Sequence, residues 1–124
     1  MKNLKLIVIT SLLLLFLDAF YISAVSNTFS NLIKEIQNDK LIFNLLGAII
    51  AYLFLIIGIL YFIIIPKKSH IDAFVLGLVI YGVYEGTNYA ILKKWPLKIV
   101  IMDTLWGGIL FALTSFFVNS LNIH

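Results

Sequence analysis

Asp18, Glu85 and Asp103 are carboxylates set inside long apolar stretches of this 124-residue chain. An ionisable group within a lipid-spanning segment is costly, and where one is kept it marks an ion path, a proton relay or a ligand counter-ion. Hydrogen-bonding residues accompany each acid at helical spacing. Tyr81, Glu85 and Asn88 share one helix face, Asp103 shares a face with Trp106, and Asp18 shares one with Tyr21. Asp18, Tyr21, Tyr81, Glu85, Asn88, Asp103 and Trp106 are therefore the candidate ligand-binding residues.

Adjacent ionised carboxylates in a low-dielectric site repel one another. Protons on some of them relieve this, with Tyr, Asn and Trp donating hydrogen bonds, and so does a cation between them. Oxygen-only ligands suit Ca²⁺, Mg²⁺ or Mn²⁺ better than zinc or copper. Lys98, a turn or two nearer the surface, is a further possible counter-charge. The bland alternative is a hydrogen-bond network that only fixes helix register. No Ser/His/Asp set, HExxH helix or phosphate loop is present, and the sequence implies no particular cofactor. His70 and His124 lie at a loop and at the C-terminus, and neither reads as a metal or catalytic residue.

These acids need elements to hold them. Hydrophobic residues make up 62% of the chain and charged residues 12%, against about 25% charged in soluble domains. A soluble domain of this size has too little interior for that much apolar surface, and the lipid bilayer is the expected partner. There is no cysteine, so disulfides and thiolate chemistry are excluded. The net charge of +3 comes from lysines at the ends of apolar stretches. That is the pattern of membrane anchors, and no basic stripe forms that would read nucleic acid.

A helix needs about 20 apolar residues to cross a bilayer. Four stretches qualify, at about 6–25, 41–65, 71–92 and 97–118. The expected fold is an all-α integral membrane four-helix bundle of up-down-up-down topology, forming a single transmembrane domain over 1–124. A lysine-bearing start and small residues near Ser23-Ala24 would also fit a secretory leader, but Asp18 and the length favour a true span. Pro96 is well placed to open the last helix, where its missing N–H costs nothing. Between the first two spans, Phe29, Leu32, Ile33 and Ile36 make an apolar stripe at i, i+3, i+4, i+7. This predicts a short interfacial amphipathic helix able to act as a lid. Gly82 with Gly86, and Gly108 with Ala112, are small-residue pairs that permit close helix approach. The tyrosines and Trp95 read as an interfacial aromatic belt.

Antiparallel spans place the acids together. Asp18 precedes the end of its span at Val25, Glu85 precedes the end of its span at Leu92, and Asp103 follows the start of its span at Leu97. Those ends share one membrane face, and each acid lies about 10 Å inside it at 1.5 Å per residue. Asn44, in the first turn of the second span, lies on the same side. Lysines are spread almost evenly over the two faces. Lys2 and Lys5, at the start of the first span, favour a cytoplasmic N-terminus.

Three segments resemble a known family. Leu17-Asp18-Ala19-Phe20-Tyr21 resembles L-D-A-x-W. The run from Tyr84 to Leu97 resembles Y-D-x-T-N-x-A-T-L-x-x-W-P-L, and Asp103-Thr104-Leu105-Trp106-Gly107 resembles D-x-x-W-G. Together they are similar to the DUF2177 family of predicted four-span membrane proteins. The resemblance implies that Asp18, Glu85, Thr87, Asn88, Trp95, Pro96, Asp103, Trp106 and Gly107 occupy motif positions. Glu85 stands where the family pattern has Asp, and Tyr21 where it has Trp. The resemblance brings no established activity. Three roles follow from the residues: binding or moving a cation, proton or small polar ligand, with a homodimer expected; acid–base chemistry on a lipid or isoprenoid; or a structural subunit of a membrane complex.

Overall fold

The computed structural model describes residues 2–38 and 44–123. Lys40, His124 and the first residues of the expected second span, 41–43, lie outside the described residues. Four helices follow in order: α1 (Lys2–Gln37), α2 (Leu45–Ile59, continued by a π-helical turn at Leu60–Ile64), α3 (His70–Ile91) and α4 (Leu97–Ser120). The all-α bundle read from the sequence is the observed architecture.

Helix ends are set by local chemistry. Asn44 caps α2 by accepting from the Gly47 N–H at 3.0 Å, and Ser69 caps α3 by accepting from the Asp72 N–H at 3.1 Å. The π turn closes with the Ile65 N–H on the Leu60 carbonyl at 2.9 Å. It directly precedes Pro66, which has no N–H to continue the ladder. Lys67 then turns left-handed at φ 59°, and the Lys67 and Lys68 N–H groups return to the Ile64 and Ile63 carbonyls. This is a Schellman ending with lysine in the place usually held by glycine. Asn38 at φ 56° follows the end of α1, as asparagine tolerates that conformation. Pro96 stands at the N-cap of α4.

The expected break after Val25 does not occur. From Lys2 to Gln37 there is no glycine or proline, and the helix runs on through the amphipathic stretch. Its 36 residues extend about 54 Å, well beyond a hydrocarbon core of about 30 Å. Phe29 to Ile36 is thus helical, but as the extension of α1 and not as a separate interfacial helix. Its stripe meets protein: the Phe29 ring lies 6.3 Å from that of Trp95, and Lys94 Nζ donates to the Glu35 carbonyl at 3.3 Å.

Among the described residues, three helices, Asn3–Gln37, Leu45–Ile64 and Leu97–Ser120, are long and apolar enough to cross a membrane. α3 has the length but is diluted by Asp72, Glu85, Thr87, Asn88 and its glycines. It pairs most closely with α4, while α1 packs mainly on α4. The close approach is made by Gly77, where a Cβ would strike the Gly107 carbonyl, and by Gly108, where one would lie 2.8 Å from the Phe74 ring. The expected Gly82–Gly86 pair does not do this. Gly86 faces open space, and Gly82 only approaches the Thr104 methyl.

The apolar core lies at the end of the bundle away from the acids. Leu6 and Leu14 of α1, Ile59 to Ile64 of α2, Ala73 of α3, and Leu110, Phe111 and Val118 of α4 close on one another there. His70 Nδ1 stands 3.1 Å from Ser115 Oγ beside that core.

Candidate functional site

Toward the other end of the bundle, Asp18, Glu85 and Asp103 are all buried, with Glu85 wholly inaccessible. Asp18 accepts from two helices at once. Trp106 Nε1 of α4 donates to its Oδ1 at 2.9 Å, and the Tyr52 hydroxyl of α2 donates to its Oδ2. Tyr21, one helical turn below Asp18, donates to Asp103 Oδ1 at 3.2 Å. The Tyr21 ring lies flat on Trp106, with centroids 4.6 Å apart and planes 5° from parallel. Two reciprocal links therefore join α1 and α4: Trp106 to Asp18 and Tyr21 to Asp103.

Glu85 is served from the α3–α4 turn. Trp95 Nε1 donates to its Oε1 at 2.7 Å. Its Oε2 receives no hydrogen bond, although the Asp103 carboxyl group lies alongside. The donors are thus unevenly shared. Asp18 has one for each oxygen, whereas Glu85 and Asp103 have two printed donors, Trp95 and Tyr21, for four oxygens. A buried anion without donors is expensive, so the Glu85–Asp103 pair is where a proton or cation is missing from the account.

Of the predicted residues, Asp18, Tyr21, Glu85, Asp103 and Trp106 come together directly. Tyr81 joins them by packing its ring against Gly107 and lining the space beside Asp18 and Asp103. Asn88 is half-buried and makes no hydrogen bond with the three acids. Thr87 is turned back on its own helix, donating to the Val83 carbonyl at 2.7 Å. Lys98 is exposed and lines a groove with Glu35, so it does not descend to the acids.

Two contributors escape a linear reading. Tyr52 sits in an unbroken apolar run, and only its depth below Asn44, matching that of the acids, signals its role. Trp95 is not a belt residue: it is 4% exposed, held between Glu85 and Phe29. Tyr84 and Tyr89 are exposed, as a belt requires.

Two cavities adjoin the acids. One, of about 490 Å³, lies between α2 and α3 and is lined by Ala51, Phe54, Leu55, Ile80 and Tyr84, with Asp103 at its polar end. The other, of about 370 Å³, is lined by Asp18, Tyr21, Tyr52 and Phe29. Tyr81, Tyr84 and Asp103 line both. Among the described residues, no group of three or more His, Cys, Asp or Glu side chains is arranged to hold a metal ion. Asp18, with both oxygens engaged, offers a metal little.

One family, described as predicted membrane protein (DUF2177), has a sequence model that matches residues 3–119. No curated protein and no solved structure matches the chain.

Proposed function

The chain belongs to the DUF2177 family of predicted membrane proteins, and from that premise we propose that it binds a cation inside the membrane at Asp103, with Glu85 holding a proton behind it. The observation that carries this reading is the buried Glu85 Oε2, which lacks a donor beside the Asp103 carboxyl group. A proton on that oxygen is donated to Asp103 and satisfies both groups. Asp103 is then the anion that lines both cavities. Asp18, with a donor on each oxygen, is a fixed charge that anchors Tyr52 and Trp106.

Infrared spectra of the protein in lipid, with divalent ions removed, test the proton. A protonated-carboxyl band is expected at neutral pH, and Glu85→Gln should abolish it. Three ionised acids under those conditions would overturn the reading. Glu85→Gln should retain the fold, because the amide keeps an acceptor for Trp95 and offers a donor to Asp103. If it also retains every binding property, the acid serves packing alone.

On this reading all four helices cross the bilayer, α3 shielded by α4, with the N-terminus cytoplasmic. Four spans are few for a transporter, and a second copy completes the assembly. The absence of native cysteine makes topology testable: Lys67→Cys and Lys94→Cys should react with an impermeant thiol reagent from opposite sides. The apolar walls of the cavity beside Asp103 also favour a second reading, acid–base chemistry on a lipid. That reading requires altered lipid composition in cells expressing the protein, reversed by Asp103→Asn.

A further inference from the structure

We propose that the ligand is a lipophilic monoamine, a protonated amine on an apolar body, that reaches Asp103 sideways from the bilayer between α2 and α3. This rests on the reading of Asp103 as the anion facing the cavities. The larger cavity has one ionisable lining residue, Asp103, and its other walls are Ala51, Phe54, Leu55 and Ile80 with the rings of Tyr81 and Tyr84. A hydrated metal ion would find too few oxygens there, since Mg²⁺ and Ca²⁺ need about six or more. An alkylammonium finds what it needs: one carboxylate for the charge, aromatic faces beside it, and apolar walls for the chain.

The route follows from how α2 is held. Its C-terminal half is locked into the core by Ile59, Leu60, Ile63 and Ile64, while Leu45, Leu46, Ile49 and Ile50 of its N-terminal half are exposed. The cavity lies beside that loosely held half, and Tyr52, the hydrogen-bonded tie between it and Asp18, lines the adjoining cavity. A second, independent pointer is Glu85, fully buried with an oxygen lacking a donor, placed behind Asp103. A proton there keeps the pair at a single negative charge, which one ammonium neutralises. An inorganic dication is not matched.

The chain reports on this site by itself. Its two tryptophans, Trp95 and Trp106, each donate to one of the site's acids. The full chain in phosphatidylcholine nanodiscs is titrated with octylamine, octanol, sodium octanoate, NaCl and MgCl₂ while tryptophan fluorescence is followed. Octylamine should give a saturable change, and octanol and octanoate only the small linear drift of partitioning. Asp103→Asn should weaken the octylamine response at least tenfold. Ala51→Phe, which fills the apolar wall from an exposed α2 position, should do the same without touching an acid. Saturation by NaCl or MgCl₂ but not by octylamine would overturn the ligand class. An equal response to octanol would overturn the role of charge, and a fully responsive Ala51→Phe would overturn the sideways route. The infrared band of Glu85 decides separately. If the band is present and octylamine fails, the ligand class alone is wrong. If the band is absent, the underlying reading falls with it.

Discussion

Around Phe111, side chains from all four helices close on one another, whereas around Glu85 the same four helices leave two cavities and meet mainly through hydrogen bonds. In water both ends would be driven together by apolar burial. In lipid that drive is weak, because acyl chains solvate leucine as well as protein does, and association rests on close packing and on polar links. The two ends use these separately. The Phe111 end relies on fit. The Glu85 end relies on directed bonds from Tyr52, Trp106, Tyr21 and Trp95, which tolerate space around them. A ligand site needs that space, and the packed end lets the molecule keep it open.

The sharpest way to break this division is at the seam both ends share. Gly77→Leu places a side chain against the Gly107 carbonyl and 3.0 Å from the Gly108 Cα, where only backbone stands. Neither helix can yield without parting α3 from α4. The expected cost is about 4 kcal/mol or more, read as loss of the folded species in detergent by circular dichroism and size exclusion. A folded Gly77→Leu with native stability would show that the seam is not what joins the two ends.

Phe111→Ala tests the packed end alone. Phe111 is fully buried, and truncation should cost about 3 kcal/mol through the cavity it leaves. Any protein that still folds should keep the Glu85 carboxyl band, since no site donor touches Phe111. A stability loss accompanied by loss of the band would mean the two ends are coupled and the contrast is false.

Trp95→Phe is the converse. It keeps a ring against Phe29 but removes the donor to Glu85 Oε1, leaving a buried acceptor unserved. The expected stability cost is about 1–2 kcal/mol, less than for Phe111→Ala. The effect on the site should be greater, with a shifted Glu85 infrared band. A shift no larger than that of Phe111→Ala would place Trp95 among packing residues.

Depth was legible in the sequence and rotation was not. The acids at positions 18, 85 and 103 could be set at one level because span ends and the rise per residue fix height, and all three are buried where that level predicts. Which face of a helix turns inward is another matter. α2 is apolar all round, so nothing in its pattern sets Tyr52 apart from its neighbours, and a Trp beside Pro96 looks like any interfacial Trp. The continuity of α1 was missed for a related reason. Ser26, Asn27 and Thr28 read as a loop by composition, yet they hold helix because no proline or glycine interrupts them and the extension has the α3–α4 turn to pack against. The glycines divide in the same way, since spacing shows which could allow close approach but not which face another helix.

That division yields the smallest predicted effect and the cleanest control. Gly86 lies beside Glu85 in sequence and shares the spacing of a packing pair with Gly82, yet a Cβ added to it meets nothing within 4 Å. At Gly107, by contrast, a Cβ would strike the Tyr81 ring, so Gly107→Ala should unseat a residue that lines both cavities. Gly86→Ala should therefore be neutral or slightly stabilising, by at most about 1 kcal/mol, because alanine favours the helix more than glycine does. The thermal midpoint should hold or rise, and the Glu85 band should stay unmoved although the change is one residue away. Loss of stability in Gly86→Ala would mean that something covers that face in the membrane. The second copy proposed above is the natural candidate, and a cross-link from Gly86→Cys between two chains would identify it.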